Sequence, residues 1–294
     1  MIIPIKTLNN GFSLPVYGLG LWQMGGRAEA DTTNDAREIG ALVGAAELGI
    51  AHFDTAEQYA AGHSEELLGQ ALKGADRARF TIATKVSPWN HHPEAMETAL
   101  DASLKRLQMD YVDLYILHRF PDAGTPLPAA MEQLNRFVED GRVRHIGVSN
   151  CSAARFSYLQ NLSQHPLVCN QLHYNAQVRE VETSGVLAQC QQQDVLLVAW
   201  RPLQKGALAD APIISELAAK YGKSSVQIML NWLISQPNVV TIAKTSSLAH
   251  LQENLGATTW QMEAEDIERI RAEYPDQRQV SEAIALNYPA DVPA

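Results

Sequence analysis

FTIATKV (80–86) and VDLYILH (112–118) each set a run of apolar and β-branched residues against a residue with chemistry, Lys85 in the first and His118 in the second. Neither run shows the strict apolar–polar alternation of a strand with one face in water. Continuous runs of this length read as strands buried on both faces, the habit of a parallel sheet. Six more occur: VYGLG (16–20), AHFDT (51–55), HIGVS (145–149), LVCNQ (167–171), VLLVAW (195–200) and VVTIAK (239–244). Between them lie stretches of helical periodicity with readable ends. One starts after Asn34 and stops at Gly49. Another opens near Pro93, in the favoured first-turn position, and ends near Leu107. A third closes on Glu139-Asp140-Gly141, with glycine as its cap. Eight strands, each followed by a helix, are the count of an α/β (β/α)8 TIM barrel. IKTLNNGFSLP (5–15) reads as an N-terminal β-hairpin turning at Asn10-Gly11. Two helical patterns beyond Lys244 read as C-terminal extra helices, ahead of a proline-bearing tail, SEAIALNYPADVPA (281–294). With no linker, repeat or low-complexity segment, residues 1–294 read as one barrel domain.

Such barrels build their active sites at the C-terminal ends of the strands. Asp54, Lys85, His118, Ser149 with Asn150, Gln171, Trp200 and Lys244 follow strands two to eight in order, so the polar residues gather at that rim. Four of the residues there, Asp54, Tyr59, Lys85 and His118, combine an acid, a phenol, an amine and an imidazole, a set suited to proton donation to a carbonyl. A phenol has an intrinsic pKa of about 10. A nearby ammonium lowers that value by favouring the phenolate, and a carboxylate holds the ammonium in place. Taken singly, Asp54 reads as a turn acid, Tyr59 as a packing aromatic and His118 as a structural histidine. Lys85 shifts the balance: an amine ending an apolar run must be paired or cost several kcal/mol, and Asp54 is its natural partner. The chain therefore reads as an enzyme.

Composition narrows the partners. No apolar stretch approaches the roughly 20 residues of a membrane-spanning helix, and MIIPIKTLNNGF shows no secretory signal. Three cysteines, Cys151, Cys169 and Cys190, lack CxxC spacing and read as small buried thiols in a reducing compartment, the cytoplasm. A net charge of −10 argues against nucleic acid or anionic membrane and leaves a small molecule as the partner. Gly18-Leu19-Gly20 is not a dinucleotide fingerprint, because the third glycine would fall on Gln23. His91-His92 lacks a third ligand at suitable spacing, so no metal is expected.

The segments GLGLWQMGG, FDTAEQYAAGHSEELLGQAL, TKVSP, DYVDLYILH, IGVSN, NQLHYN, WRPL and IAKTSSLAHLQENL resemble, in order, the successive signatures of the aldo-keto reductase family. The resemblance implies an oxidoreductase reducing aldehydes or ketones to alcohols with hydride from NADPH, NADH being the second candidate. It gives Tyr59 as general acid, Lys85 and Asp54 as its tuning pair, and His118 as the group that orients the carbonyl. Gly20, Leu21 and Trp22 correspond to the family's glycine-rich first loop beside the cofactor. Ser149, Asn150 and Gln171 correspond to the carboxamide positions, and Asp54 also borders the cofactor. Trp200 stands where a tyrosine usually stacks on the nicotinamide, and Leu203 follows in the same cofactor segment. Lys244 and Thr245 match the 2′-phosphate positions, with Glu253 and Asn254 near the adenine. His250 stands where an arginine is frequent, which weakens the phosphate grip. Arg201, replacing a common serine, reads equally as a pyrophosphate contact or as a surface ion pair. Trp22, Trp89 and Phe120 are candidates for the substrate pocket, the last two reading equally as loop packing. Short segments after His118 (RFPDAGTPLPAAMEQL) and Trp200 favour small, varied carbonyls. Two other functions compete: a non-catalytic NADPH-binding regulatory barrel, and a lyase using Lys85 as a Schiff-base nucleophile.

Overall fold

The computed structural model describes residues 2–120, 127–206 and 209–286. The chain opens on two short strands, β1 (Ile5–Thr7) and β2 (Ser13–Pro15), paired antiparallel. Gly11, at φ +87°, and an Asn10 side chain that accepts from the Phe12 amide at 2.9 Å make the turn between them. Eight parallel strands then close a barrel: β3 (Tyr17–Gly20), β4 (His52–Asp54), β5 (Thr81–Val86), β6 (Val112–Leu117), β7 (Val143–Ser149), β8 (Leu167–His173), β9 (Leu196–Trp200) and β10 (Val239–Ala243). Thr241 of β10 sits opposite both Tyr17 of β3 and Ala199 of β9, which completes the ring. The (β/α)8 barrel and the hairpin are thus as the hydrophobic runs indicate.

Around the barrel lie α1 (Asp35–Glu47), α2 (His63–Ala71), α3 (Pro93–Leu107), α4 (Leu127–Glu139), α5 (Ala153–Leu162), α6 (Glu180–Thr183), α7 (Val186–Gln192), α8 (Pro212–Tyr221), α9 (Ser225–Ile234), α10 (Leu248–Leu255) and α11 (Ala264–Glu273). In α3, Met96, Ala99, Leu100, Ser103, Leu104 and Leu107 are buried, the three-and-four spacing that makes one face of a helix apolar. Pro93 sits in its first turn, and Gln108 ends it in the left-handed region. A reciprocal cap between Ser224 and Gln227 starts α9. None of the described helices is long and apolar enough to cross a membrane.

Among the described residues, apolar burial is split into two clusters. The larger fills the space between strands and helices, and the smaller lies inside the barrel. Leu8, Phe12 and Leu14 of the hairpin join Leu114, Val198 and Val240 in that inner cluster, so the hairpin plugs the N-terminal end. Lys6 fastens it: its ammonium donates to the Ile234 carbonyl at 2.8 Å, the Val239 carbonyl at 2.6 Å and the Gln236 carbonyl. Gly18 serves packing, since a Cβ there would lie 2.5 Å from Nδ1 of the buried His52. Of the segment after His118, residues 121–126 lie outside the described residues, as do 287–294 of the tail. Residues 277–286 fold back onto the rim, where Arg278 exchanges backbone hydrogen bonds with Gln177 and Arg179, and Glu180 accepts from the Ser281 and Leu286 amides.

Candidate active site

With the hairpin packed across its N-terminal end, the barrel gathers Asp54 and Lys85 at the opposite rim. Register sets Asp54 beside Gly20 and Ala83, and Lys85 beside Ile116, so adjacent strands deliver a carboxylate and an amine to one spot. The Lys85 side chain is fully enclosed. Its Nζ donates to Asp54 Oδ1 at 2.6 Å, to the Thr55 carbonyl at 2.7 Å and to the Tyr59 hydroxyl at 3.1 Å. Gln171 Nε2 donates to the other Asp54 oxygen at 2.7 Å. A buried ion pair repays desolvation only when its remaining hydrogen-bonding capacity is filled, as it is here. Burial pulls the Lys85 pKa down, but Asp54 and Tyr59 outweigh it and leave the amine above its usual range. Burial pushes the Tyr59 phenol up, Lys85 opposes this, and the net displacement is upward. The sequence-based expectation of a lowered phenol is therefore corrected: enclosure outweighs the ammonium, and Tyr59 is a protonated donor at neutral pH.

Tyr59 owes its place to a strained turn. Ala60, Ala61 and Gly62 follow it with φ of 50°, 54° and 95°, and the Ala60 amide donates to the Arg27 carbonyl at 3.0 Å. Each non-glycine residue in this region costs roughly 1–2 kcal/mol, so the turn must be held from outside. Arg106 packs over Gly62 as it donates to Glu65 Oε2 at 2.7 Å, and a Cβ on Gly62 would lie 2.6 Å from that guanidinium. Glu65 is fully buried and also accepts from Thr84 of β5. Its pairing escapes the sequence, where it reads as one more acidic residue on an amphipathic helix.

His118 faces Tyr59 edge-on at 5.5 Å between ring centroids. Burial first, then the Lys85 and Arg119 charges, hold its pKa well below the usual histidine range, so the ring is neutral. Its carbonyl accepts from Asn150 Nδ2 at 3.1 Å, and the same amide donates to Ser149 Oγ at 2.9 Å. Ser149 Oγ donates in turn to the Gln171 carbonyl at 2.8 Å. Asn150 Oδ1 is buried without a partner. That orphan acceptor beside a serine hydroxyl is what the amide group of a nicotinamide would satisfy, so the residues present fit the cofactor.

Trp200 gives one face to His173, with ring centroids 4.4 Å apart and planes 14° apart. His173 is in turn bonded to Ser281 Oγ of the tail at 2.8 Å. Arg201 holds its guanidinium 5.3 Å from the Trp200 ring centre and 3.9 Å from Glu282, a loose surface pair. Leu203 is half-buried against the outer core. Farther round the rim, Lys244 is exposed, and among the described residues no carboxylate lies within ion-pair distance of it. Thr245 and Ser247 brace each other, and Ser247 caps α10 by accepting from the His250 amide. The His250 ring is exposed. Asn254 is turned inward and donates to the Tyr17 hydroxyl at 2.9 Å, while the Glu253 carbonyl accepts from Gln227.

Trp22 abuts Tyr59 edge-on at 5.0 Å, and with Trp89 it lines a cleft of about 570 Å³. Leu21 is fully buried behind it, its amide donating to the Asp54 carbonyl. Phe120 does not line the cleft and packs against His91 and under the Arg155 guanidinium. Among the described residues no group of three or more His, Cys, Asp or Glu side chains could hold a metal. His173 and Arg119 were legible only as letters after a strand; their neighbours come from other strands and loops.

The sequence pattern of the Aldo/keto reductase family matches residues 17–274. Methylglyoxal reductase YeaE of Escherichia coli is 35% identical over 90% of this chain and 92% of its own length. A thermostable aldo-keto reductase, Tm1743, crystallised with the inhibitor epalrestat, superposes with a TM-score of 0.89 at 37% identity, over 92% of this chain and 99% of that one. An aldo-keto reductase from Klebsiella pneumoniae in complex with NADPH superposes with a TM-score of 0.84 at 31% identity, over 95% and 98%.

Proposed function

We propose how the reaction runs in this chain, which belongs to the aldo/keto reductase family. It is an NADPH-dependent oxidoreductase that reduces aldehydes or ketones to alcohols. When bound, the cofactor supplies hydride to the carbonyl carbon. Tyr59 donates the proton to the carbonyl oxygen, and Lys85, held by Asp54, stabilises the phenolate left behind. Neutral His118 donates from its Nε2 edge and orients the oxygen as negative charge develops. Ser149, Asn150 and Gln171 bind the carboxamide. Trp200, backed by His173, stacks on the ring with Gly20, Leu21 and Leu203 nearby, and Arg201 borders the pyrophosphate. Lys244, Thr245 and His250 hold the 2′-phosphate, with Glu253 and Asn254 beside the adenine.

The observation that carries this reading is the enclosed Lys85, bonded at once to Asp54 and the Tyr59 hydroxyl. The same observation opposes a lyase, since a charged amine is no Schiff-base nucleophile. A regulatory barrel would have no use for a buried proton donor, and neither alternative finds support among the relatives. We also read residues 1–294 as one domain acting in the cytoplasm; three buried thiols, none in a disulfide, accord with that compartment. By analogy with the Escherichia coli relative, small 2-oxoaldehydes such as methylglyoxal are substrates. A panel of aldehydes, ketones and sugars assayed with NADPH and NADH tests the reading. NADPH-linked reduction of at least the small aldehydes is expected, and no turnover of any carbonyl would overturn it.

A further inference from the structure

The cleft beside Trp22 carries more positive charge than a chain of net charge −10 leads one to expect. Arg27, Arg106 and Arg119 line it, together with Trp22, Gln58, Trp89 and Glu57. Arg106 is committed to Glu65. Glu57 adds one negative charge to the lining, its Oε1 accepting from the Ser87 amide at 2.6 Å and from Asn90 Nδ2 at 3.0 Å. Arg27 and Arg119 are exposed, and among the described residues neither has a carboxylate within ion-pair distance. Neither Tyr59 nor His118 lines the cleft. It adjoins them through Trp22, whose ring edge meets Tyr59, and through Arg119, the residue after His118. Two guanidiniums without a carboxylate partner therefore line a cleft whose Trp22 wall abuts the proton donor. A guanidinium presents a planar fork of donors matched to carboxylate and phosphate.

We propose that this cleft is an oxyanion subsite, and that the preferred substrates are aldehydes or ketones carrying a carboxylate or phosphate group. The proposal rests on the carbonyl-reductase reading above and adds the substrate's charge to it. Trp22 and Trp89 provide apolar walls for the carbon chain between carbonyl and anion. Arg27 and Arg119 bind the anion, and the reacting carbonyl lies against Tyr59.

The test compares pairs that differ in charge: 4-oxobutanoate against its methyl ester, and glyceraldehyde 3-phosphate against glyceraldehyde, each with saturating NADPH. At least one anion is expected to exceed its neutral partner in kcat/KM by about tenfold, mainly through KM, with the gap narrowing as salt rises. The arm that shows the gap identifies carboxylate or phosphate as the bound group. Arg119→Gln and Arg27→Gln, both at exposed positions, are expected to lower the anion-to-neutral ratio, and the double variant to bring it near unity. Calorimetry gives a readout apart from turnover: succinate is expected to bind the wild-type protein loaded with NADP⁺ more tightly than the double variant. Equal use of anion and neutral partner in both arms, or a ratio unmoved by the double variant, overturns the subsite while leaving the reductase intact. No reduction of any of the four compounds would instead count against the reductase reading itself.

Discussion

Lys85 keeps a full positive charge inside the barrel because three oxygens converge on its Nζ, and the site depends on that arrangement. Lys85→Met would leave Asp54 buried with Gln171 as its remaining side-chain partner. Removing one member of a buried pair costs about 3–5 kcal/mol, so a drop of that size in unfolding free energy is expected by urea titration. Activity should fall by roughly 10²-fold or more, as for loss of a general acid–base group; a fully active variant would remove Lys85 from the site. The raised Tyr59 and depressed His118 pKa values bear on pH dependence. Reduction needs the protonated phenol, which is lost only above its usual range, and a neutral His118, which gains a proton only well below 6.5. The kcat/KM profile for reduction should therefore be flat between about pH 6.5 and 9. A limb inside that window would show that one of these assignments is wrong. The direction of the Tyr59 displacement could not be read from the sequence. The ammonium beside it was legible, but the completeness of enclosure is a property of Trp22 and His118 closing in from elsewhere on the rim.

At the scale of elements, the strands and their order were legible because parallel strands buried on both faces leave continuous apolar runs. The helix ends were legible where a proline or glycine marks them, as at Pro93 and Gly141. The rim loops were not, since their course is set by contacts remote in sequence. Glu65 beneath Arg106, and Ser281 on His173, are pairings that no local pattern encodes. The turn from β10 into α10 lies between these extremes: Ser247 announces the helix start, yet only the fold shows Lys244 standing free in solvent. Lys244→Ala should weaken NADPH by about tenfold, the lower end for a charge-assisted contact because the residue is exposed, and leave NADH nearly unchanged. His250→Arg should tighten NADPH. Fluorescence titration of both cofactors decides this; equal weakening of NADH and NADPH by Lys244→Ala would show that the lysine does not read the phosphate.

For the whole molecule, buried histidines set the response to acid. Burial holds His52, His91 and His173 at about 4, against an ordinary 6.5, and His118 is displaced the same way. Between those values the unfolded chain binds more protons than the folded one, so stability present above 6.5 is lost as pH falls, by up to about 1.4 kcal/mol per proton per pH unit. His63, whose pKa is raised despite burial by its contacts with Glu66 and Asp35, works in the opposite sense, but it is one group against five, because burial pulls His145 down as well. Urea midpoints should therefore fall steadily from about pH 7 to 5, above the range in which most carboxylates titrate; a level or rising midpoint would mean that these rings are not held neutral in the fold. The reaction itself rests on one hydroxyl. Single-turnover reduction of methylglyoxal, followed by NADPH absorbance in the wild type and in Tyr59→Phe with cofactor affinity measured in parallel, tests it most directly. The predicted result is a fall in rate of roughly 10²–10⁴-fold with NADPH binding nearly intact. Near-normal turnover without the hydroxyl would contradict it.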